Sequence, residues 1–342
     1  MDMMLPKAIR FESASGSTQA VIAPDWGANV LGFSFRSSEW QWPVPVLEAA
    51  DLSAVALQPT SYGIPVLSPS PGRTGRNQSG EMEFQGRRYK LRQARHGLLR
   101  HAQWSAEQTG EDRIVCSVQI RPPSRSDRHT QDFPFCFDAV YEIAVGAATL
   151  DLSLHLTNSG ETDQPLDAGW HPYFARDAES SVVIPASTRW ELFPDKDPTP
   201  TGRLRPLPDG ISFPAGHRIP PDELWDDVLE LDKHGAEDSA WCTSWIESGR
   251  DVLLKSGRVE RLTLRRWIRT RTRSEPGRSA PMTHMQLYTP IGRQALCLEP
   301  LSAIPNAINL SGADAGTPIG FNTVSPGASI RYHISLGLSH PA

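Results

Sequence analysis

The sequence predicts an all-β protein, a sandwich or a barrel, from three observations. Apolar residues recur at every second position in several runs, as in residues 150–157, which is the spacing of a strand with one wet face. The 30 prolines and 26 glycines are spread along the chain and punctuate these runs. No run keeps the 3.6-residue spacing of a long amphipathic helix. Many short strands joined by frequent turns are typical of these two architectures.

Eight runs are the predicted strands. In chain order they are 30–35, 114–120, 139–145, 150–157, 181–184, 259–264, 285–288 and 295–298. We expect helix only as short turns, for example around 222–228. No break of composition and no internal repeat divides the chain, so we expect one domain over residues 1–342.

Two segments are predicted to be irregular. Residues 121–128 have the composition of an exposed loop. Residues 265–278 hold six arginines, at 265, 266, 269, 271, 273 and 278. Such a segment indicates a solvated loop or an oligomer contact, and a phosphate site is the alternative.

Composition limits the classes of partner. The formal net charge of -5 argues against nucleic acid or an anionic membrane as the main partner. No apolar run approaches the roughly 20 residues of a membrane helix, and no signal-peptide pattern is visible. The four cysteines are far apart and no metal-binding motif occurs. We therefore expect a cytoplasmic monomer or homodimer with free thiols and no metal.

Residues 169–174, Gly-Trp-His-Pro-Tyr-Phe, are the most informative segment. The proline restricts the backbone before it, which presents His171 in an extended conformation. Tyr173 and Phe174 add a flat apolar wall that suits the C–H face of a ring-shaped ligand. A buried, hydrogen-bonded histidine beside core aromatic residues is the alternative.

Glu299 follows the apolar run 295–298 and precedes Pro300. The predicted strand delivers this carboxylate to its end, where the proline stops the ladder. Partial burial would raise the pKa of such a carboxyl toward that of a general base. A strand-end glutamate paired with an arginine is the alternative.

Four further residues are candidates for ligand contacts. Arg73 lies in a loop rich in glycine and proline that can hold a guanidinium toward hydroxyls, and the alternative is a surface turn. His96 precedes a glycine that permits a sharp turn or close approach of a ligand. Asp226 and Asp227 could accept hydrogen bonds from a polyol, or cap a helix, or face solvent.

The order of these motifs resembles that of the aldose 1-epimerases, also called galactose mutarotases, over most of the chain. The similar segments, in order, are 26–31, 63–67 with Gly72-Arg73, 96–100 with Trp104, 133–135, 171–174, 200–202, Asp226-Asp227, 286–290, 299–300 and 305–307. Two features depart from the family pattern. Residues 72–77 read Gly-Arg-Thr-Gly-Arg-Asn instead of an Asn-Arg-type motif, and 265–278 looks like an insertion. The resemblance therefore does not identify the sugar.

The resemblance implies a large antiparallel β-sandwich with a sugar cleft across one sheet. It implies that Glu299 is the general base and His171 the general acid of an aldose 1-epimerase. His96 and Arg73 would bind and polarise the sugar, Tyr173 would lie beside it, and Asp226, or its neighbour, would hold its hydroxyls. No cofactor is needed, because neither a hydride nor a group is transferred.

Three other functions remain open at this point. The scaffold could be a non-catalytic carbohydrate-binding protein, although a binder needs no acid–base pair. A glycoside hydrolase would use two carboxylates, Glu299 with Asp226 or Asp227, and would leave His171 unexplained. The arginine-rich stretch admits a phosphorylated sugar as the substrate.

Overall fold

The computed structural model describes residues 7–49, 52–122, 133–194, 198–232, 241–272, 279–310 and 318–340. In the first half of the chain the strands are β1 (Ile9–Glu12), β2 (Thr18–Ala23), β3 (Asn29–Phe35), β4 (Val44–Pro45), β5 (Val66–Leu67), β6 (Glu81–Phe84), β7 (Arg87–Lys90), β8 (Ser105–Gln108), β9 (Arg113–Ile120), β10 (Phe137–Val145), β11 (Thr149–Asn158), β12 (Gln164–Pro165) and β13 (Gly169–Trp170).

The second half adds β14 (Tyr173–Ala175), β15 (Ser181–Val183), β16 (Thr188–Leu192), β17 (Pro200–Pro206), β18 (His217–Arg218), β19 (Asp226–Glu230), β20 (Trp241–Leu253), β21 (Val259–Arg271), β22 (His284–Tyr288), β23 (Ala295–Leu301), β24 (Thr323–Val324) and β25 (Ser329–Ser339). Two short α-helices are α1 (Leu52–Leu57) and α2 (Ala307–Leu310).

Two large antiparallel sheets form the sandwich. The nine-stranded sheet has the order β18-β15-β20-β21-β25-β11-β10-β9-β8. The eight-stranded sheet has the order β17-β16-β19-β22-β23-β13-β5, and β14 also pairs with β23. A four-stranded sheet, β1 to β4, packs on the same core. The all-β sandwich expected from the sequence is confirmed.

The core lies between the two large sheets because alternate residues of each strand are apolar. In β10, the buried side chains are Phe137, Ala139, Tyr141, Ile143 and Val145. The side chain of Trp170, in β13 of the eight-stranded sheet, extends into this core, and its indole Nε1–H donates to the Tyr141 hydroxyl at 3.1 Å. Both side chains are fully buried, so this bond satisfies two polar groups in the apolar layer.

All eight predicted runs are strands, but three details of the prediction are wrong. Of the helical turn expected around 222–228, the last three residues belong instead to β19, which begins at Asp226. The strand expected to stop at Glu299 continues to Leu301, with Pro300 inside it and opposite Met285. The segment expected to be irregular is extended as far as Arg271, since β21 pairs with β20 on one side and β25 on the other. Residues 273–278, and 123–128 of the other segment, lie outside the described residues.

Among the described residues, no helix has both the length and the apolar character that crossing a membrane requires.

The Trp170–Tyr141 bond gives a test of the sandwich core. Tyr141→Phe leaves the buried indole N–H without an acceptor, and we expect the free energy of unfolding to fall by about 1–3 kcal/mol. Urea denaturation measures this change. Val140→Thr is the matched control, since Val140 directly precedes Tyr141 in β10 and faces outward, and it should change stability by less than about 0.5 kcal/mol. Equal stability of wild type and Tyr141→Phe would contradict this account of the core.

Candidate active site

The candidate site lies on the face of the eight-stranded sheet that points away from the sandwich core. Side chains of β22 and β23 alternate between the two faces. Those that pack in the core are Met285, Leu287, Leu296 and Leu298. Gln286 and Glu299 are directly opposite each other in the register, on the other face. Glu299 is fully buried there, so strand alternation alone brings its carboxylate to the site.

His171 reaches the same place from a neighbouring segment. Its backbone N–H donates to the Pro65 carbonyl at 3.0 Å, which fixes the chain just before Pro172. His171 Nε2 lies 3.1 Å from Glu299 Oε1. The Tyr173 ring stacks on the His171 ring with centroids 4.5 Å apart and planes 13° apart. The sequence-predicted pair is thus in direct contact, and Tyr173 orients the imidazole.

The Arg73 and His96 loops are held together by backbone bonds. The His96 N–H donates to the Gly72 carbonyl at 2.7 Å. His96 and Gly97 both have positive φ, 62° and 65°. A Cβ added to Gly97 would lie 2.2 Å from the Ser68 carbonyl oxygen, so only glycine fits this turn. The turn directs the His96 ring to 5.5 Å from that of His171, centroid to centroid.

Both ring nitrogens of His96 are bound within the protein. Arg95 Nε donates to His96 Nε2 at 3.0 Å, which makes Nε2 the acceptor. Nδ1 then carries the proton and donates to the Pro71 carbonyl at 3.0 Å. A direct hydrogen bond from His96 to a ligand therefore requires Arg95 to move. Arg95 was not among the predicted site residues, although it precedes His96 directly.

Alternation along β19 places Asp226 and Asp227 on opposite faces of the sheet. Arg73 Nη2 donates to Asp226 Oδ2 at 2.8 Å, and Gln286 Nε2 donates to Asp226 Oδ1 at 2.6 Å. Asp227 lies on the opposite face, where Arg189 Nη1 donates to it at 2.8 Å. The structure thus brings Asp226, Arg73 and Gln286 to the site. Sequence reasoning placed Gln286 only in a strand, because its side-chain direction depends on the register with β23.

Burial sets the proton affinities of the pair. It raises the pKa of Glu299 well above 4.5, with a further rise from Asp226 and a partial offset from Arg95, Arg73 and Arg100. Burial also lowers the pKa of His171 well below 6.5, helped by Arg95 and Arg100. Both shifts have burial as their main cause, and both favour the neutral form of the group.

Several buried polar atoms at this site lack hydrogen-bond partners within the described part of the chain. They are both carboxylate oxygens of Glu299, Nδ1 of His171, Oε1 of Gln286 and Nε of Arg73 and of Arg100. The 3.1 Å contact between His171 and Glu299 is close, but it lacks the alignment of a hydrogen bond. Unpartnered buried polar atoms are costly, and a ligand with several hydroxyls would satisfy them. No group of three or more potential metal-ligating side chains occurs among the described residues.

Comparison with known proteins is consistent with this geometry. The family model described as Aldose 1-epimerase matches residues 10–337. Uncharacterized protein YphB of Escherichia coli (strain K12) is 25% identical over 173 residues, which are 48% of this chain and 52% of that protein, so the match spans about half of that curated relative.

Solved structures share the fold at low sequence identity. A galactose mutarotase-like protein from Clostridium acetobutylicum has a TM-score of 0.76 and 18% identity, over 98% of this chain and 95% of its own. The Slr1438 protein from Synechocystis sp. PCC 6803 has a TM-score of 0.70 and 20% identity, over 98% and 96% of the two chains. The aldose epimerase homologue from C. elegans has a TM-score of 0.71 and 17% identity, over 98% and 99%.

The raised pKa of Glu299 predicts how stability depends on pH. The folded state holds this proton more tightly than the unfolded chain, so the associated stability is complete below about pH 4.5 and is lost as the pH rises through the folded pKa. Glu299→Gln does not titrate in this window. We expect its stability relative to wild type to be greater at pH 8 than at pH 5, because only the wild type loses this contribution as the pH rises. Thermal or urea unfolding at both pH values measures it, and parallel pH dependence would show that Glu299 ionises normally.

Proposed function

This chain belongs to the aldose 1-epimerase family, and we propose that it is an aldose 1-epimerase that interconverts the α and β anomers of a free aldohexose such as galactose or glucose. One observation carries the proposal. Glu299 and His171 are buried in contact at 3.1 Å, with their remaining polar atoms unpartnered. Such a pair can exchange protons with two neighbouring oxygens of one sugar, the C1 hydroxyl and the ring oxygen.

The reaction opens and recloses the hemiacetal. One member of the pair takes the proton of the C1 hydroxyl while the other protonates the ring oxygen, and the C1–O5 bond breaks. Rotation about C1–C2 then presents the other face of the aldehyde to the C5 hydroxyl. Ring closure returns both protons. In the direction assigned from the family resemblance, Glu299 is the base and His171 the acid.

The pair needs only one proton in total. With the proton on Glu299, the carboxyl is the acid and the neutral His171 is the base. With the proton on His171, the roles are exchanged. Since each turnover moves the proton from one member to the other and then back, burial that favours the neutral form does not block the cycle.

The surrounding residues fit a polyol. Asp226 is fixed by Arg73 and Gln286, so its carboxylate is oriented for sugar hydroxyls. Tyr173 supports the imidazole and presents little free surface. The same contacts argue against the hydrolase alternative, because Asp226 already has an arginine partner and Asp227 is on the opposite face. A pure binder would leave the buried acid–base pair without a role.

An aldose with an anionic substituent, such as a sugar phosphate, is a second candidate substrate. Arg95 and Arg100 make no ion pair among the described residues, and both raise the positive potential at His171. Burial lowers the pKa of Arg100 to about 10, so it remains charged at neutral pH. A positive site on a protein of net charge -5 favours anionic ligands.

We also propose that the protein is a cytoplasmic monomer or homodimer that needs no cofactor or metal and has no nucleic acid or membrane partner.

Polarimetry of freshly dissolved α-D-galactose and α-D-glucose tests the proposed activity. We expect the wild type to accelerate the approach to anomeric equilibrium. His171→Asn and Glu299→Gln should each reduce kcat by about 100- to 10,000-fold, the usual contribution of one positioned proton-transfer group. Asp226→Asn should raise KM, whereas its matched control Asp227→Asn should change kcat/KM by less than about threefold. Acceleration that survives both His171→Asn and Glu299→Gln would contradict the mechanism, and a folded wild type inactive on every aldose would favour the binding protein.

The choice between neutral and phosphorylated sugars has its own test. If the phosphate contacts Arg95, Arg95→Gln should reduce kcat/KM for glucose 6-phosphate at least about tenfold more than for glucose. Enzyme-coupled or NMR assays of anomer interconversion, run with each sugar, measure the two reductions in kcat/KM. Equal losses would assign Arg95 to the His96 contact alone, and a wild type inactive on glucose 6-phosphate would remove the phosphorylated substrate.

A further inference from the structure

Arg293 lies in the turn between β22 and β23, beside the candidate active site, and its guanidinium joins three segments of the chain. Nε and Nη2 donate to the Glu48 carboxylate, with Nε 3.1 Å from Oε2. Nη1 donates to the Ser61 carbonyl at 2.6 Å. The Arg293 and Glu48 side chains are only 21% and 14% exposed, so this pair is better shielded from water than a surface ion pair. Several donors on one carboxylate also fix the plane of the guanidinium.

The same guanidinium lies over two tyrosine rings. It is 4.1 Å from the centroid of the Tyr62 ring and 4.7 Å from that of the Tyr173 ring. A cation over the face of an aromatic ring is attracted to it, and more strongly where water is excluded. Tyr173 in turn stacks on the His171 imidazole. Tyr173 therefore contacts the guanidinium as well as the imidazole.

The backbone of Tyr173 is held separately from its ring. The Tyr173 N–H donates to the Gly63 carbonyl at 3.0 Å, and the Glu48 N–H donates to the Tyr173 carbonyl at 2.8 Å. These bonds do not involve the Arg293 side chain. Loss of the guanidinium would thus release the tyrosine ring while the strand that carries it stays in place.

The orientation of His171 depends on the rings around it. Its Nδ1 has no hydrogen-bond partner among the described residues, and its Nε2 contact with Glu299 lacks the alignment of a hydrogen bond. Stacking on Tyr173, with planes 13° apart, is therefore a main restraint on the imidazole. The charge of Arg293 also acts on His171, since it lowers the pKa of His171 in addition to the larger effects of burial, Arg95 and Arg100.

We propose that Arg293, held by Glu48, is a positioning residue that fixes the Tyr173 ring and thereby orients the His171 imidazole for proton transfer. The inference rests on the proposed epimerase function, because it assumes that His171 exchanges a proton with the sugar. Arg293 acts through Tyr173 and does not bind the sugar.

Kinetics of galactose and glucose anomerisation test this role in the full chain. Arg293→Gln should lower kcat about tenfold and change KM by less than about twofold, since a misoriented proton-transfer group slows the reaction without weakening sugar binding. Arg293→Lys keeps the charge but not the planar fork, and should recover part of the loss. Glu48→Gln keeps the shape of the carboxylate and loosens the guanidinium, so it should lower kcat by a smaller factor. This second site keeps the test decisive if Arg293→Gln does not fold.

Arg265→Gln is the matched control. Arg265 donates to Glu247 at 2.6 Å and lies 5.5 Å from the Trp245 ring, so it has the same kinds of partner on the nine-stranded sheet. It should leave kcat and KM within about twofold of wild type. An equal loss of kcat in Arg265→Gln and Arg293→Gln, or a raised KM with unchanged kcat in Arg293→Gln, would overturn the proposal.

NMR of protein labelled with ¹⁵N-histidine gives a readout that needs no activity. The His171 ring signals, assigned from their loss in His171→Asn, should shift in Arg293→Gln and stay unchanged in Arg265→Gln. A wild type inactive on both sugars would contradict the proposed function, and the His171 signals would then decide the positioning alone. A folded Arg293→Gln that is less stable in urea but keeps the wild-type His171 signals and kcat would show a purely structural ion pair and overturn the proposal.

Discussion

Burial of Glu299 against His171 is the constraint on which the rest of the active site depends. Neither group can easily hold a charge in a dry environment, yet the two must exchange protons with a ligand. Glu299 lies on a strand paired on both sides, which fixes its backbone, and its side chain is fully buried. Tyr173 fixes the imidazole from one side. The arginines around the pair stabilise the ionised form of Glu299, and they offset part of the rise in its pKa that burial causes.

Most strands could be predicted from the sequence, because apolar and polar residues alternate wherever one face of a strand is buried. Prediction from this alternation failed where a residue that faces the core is polar. Arg266 faces the sandwich core and donates to the Ser248 hydroxyl at 2.6 Å, so the alternation of β21 is hidden among arginines. Residues 226–230 were missed as a strand because paired aspartates are typical of turns, and it is the pairing with β22 and β16 that extends them.

The candidate site was predictable to the level of motifs but not of partners. The order of the histidine, aspartate and glutamate motifs placed Glu299, His171, Arg73 and Asp226 at one site, and the structure brings all four together. It could not show that Arg95 occupies His96 Nε2, because a side-chain contact between adjacent residues depends on the positive φ of His96. Nor could it show that the arginines of β21 share a surface with β25, since that requires the register of distant strands.

The most direct test of the central claim is a crystal structure of Glu299→Gln with galactose bound. The amide keeps the shape of the site and prevents turnover. The account predicts that the C1 hydroxyl and the ring oxygen lie within about 3.2 Å of residue 299 and His171 respectively, with other hydroxyls on Asp226. A sugar bound in the cleft with C1 remote from both residues, or bound only elsewhere on the protein, would contradict the assignment of this pair as the proton-transfer groups.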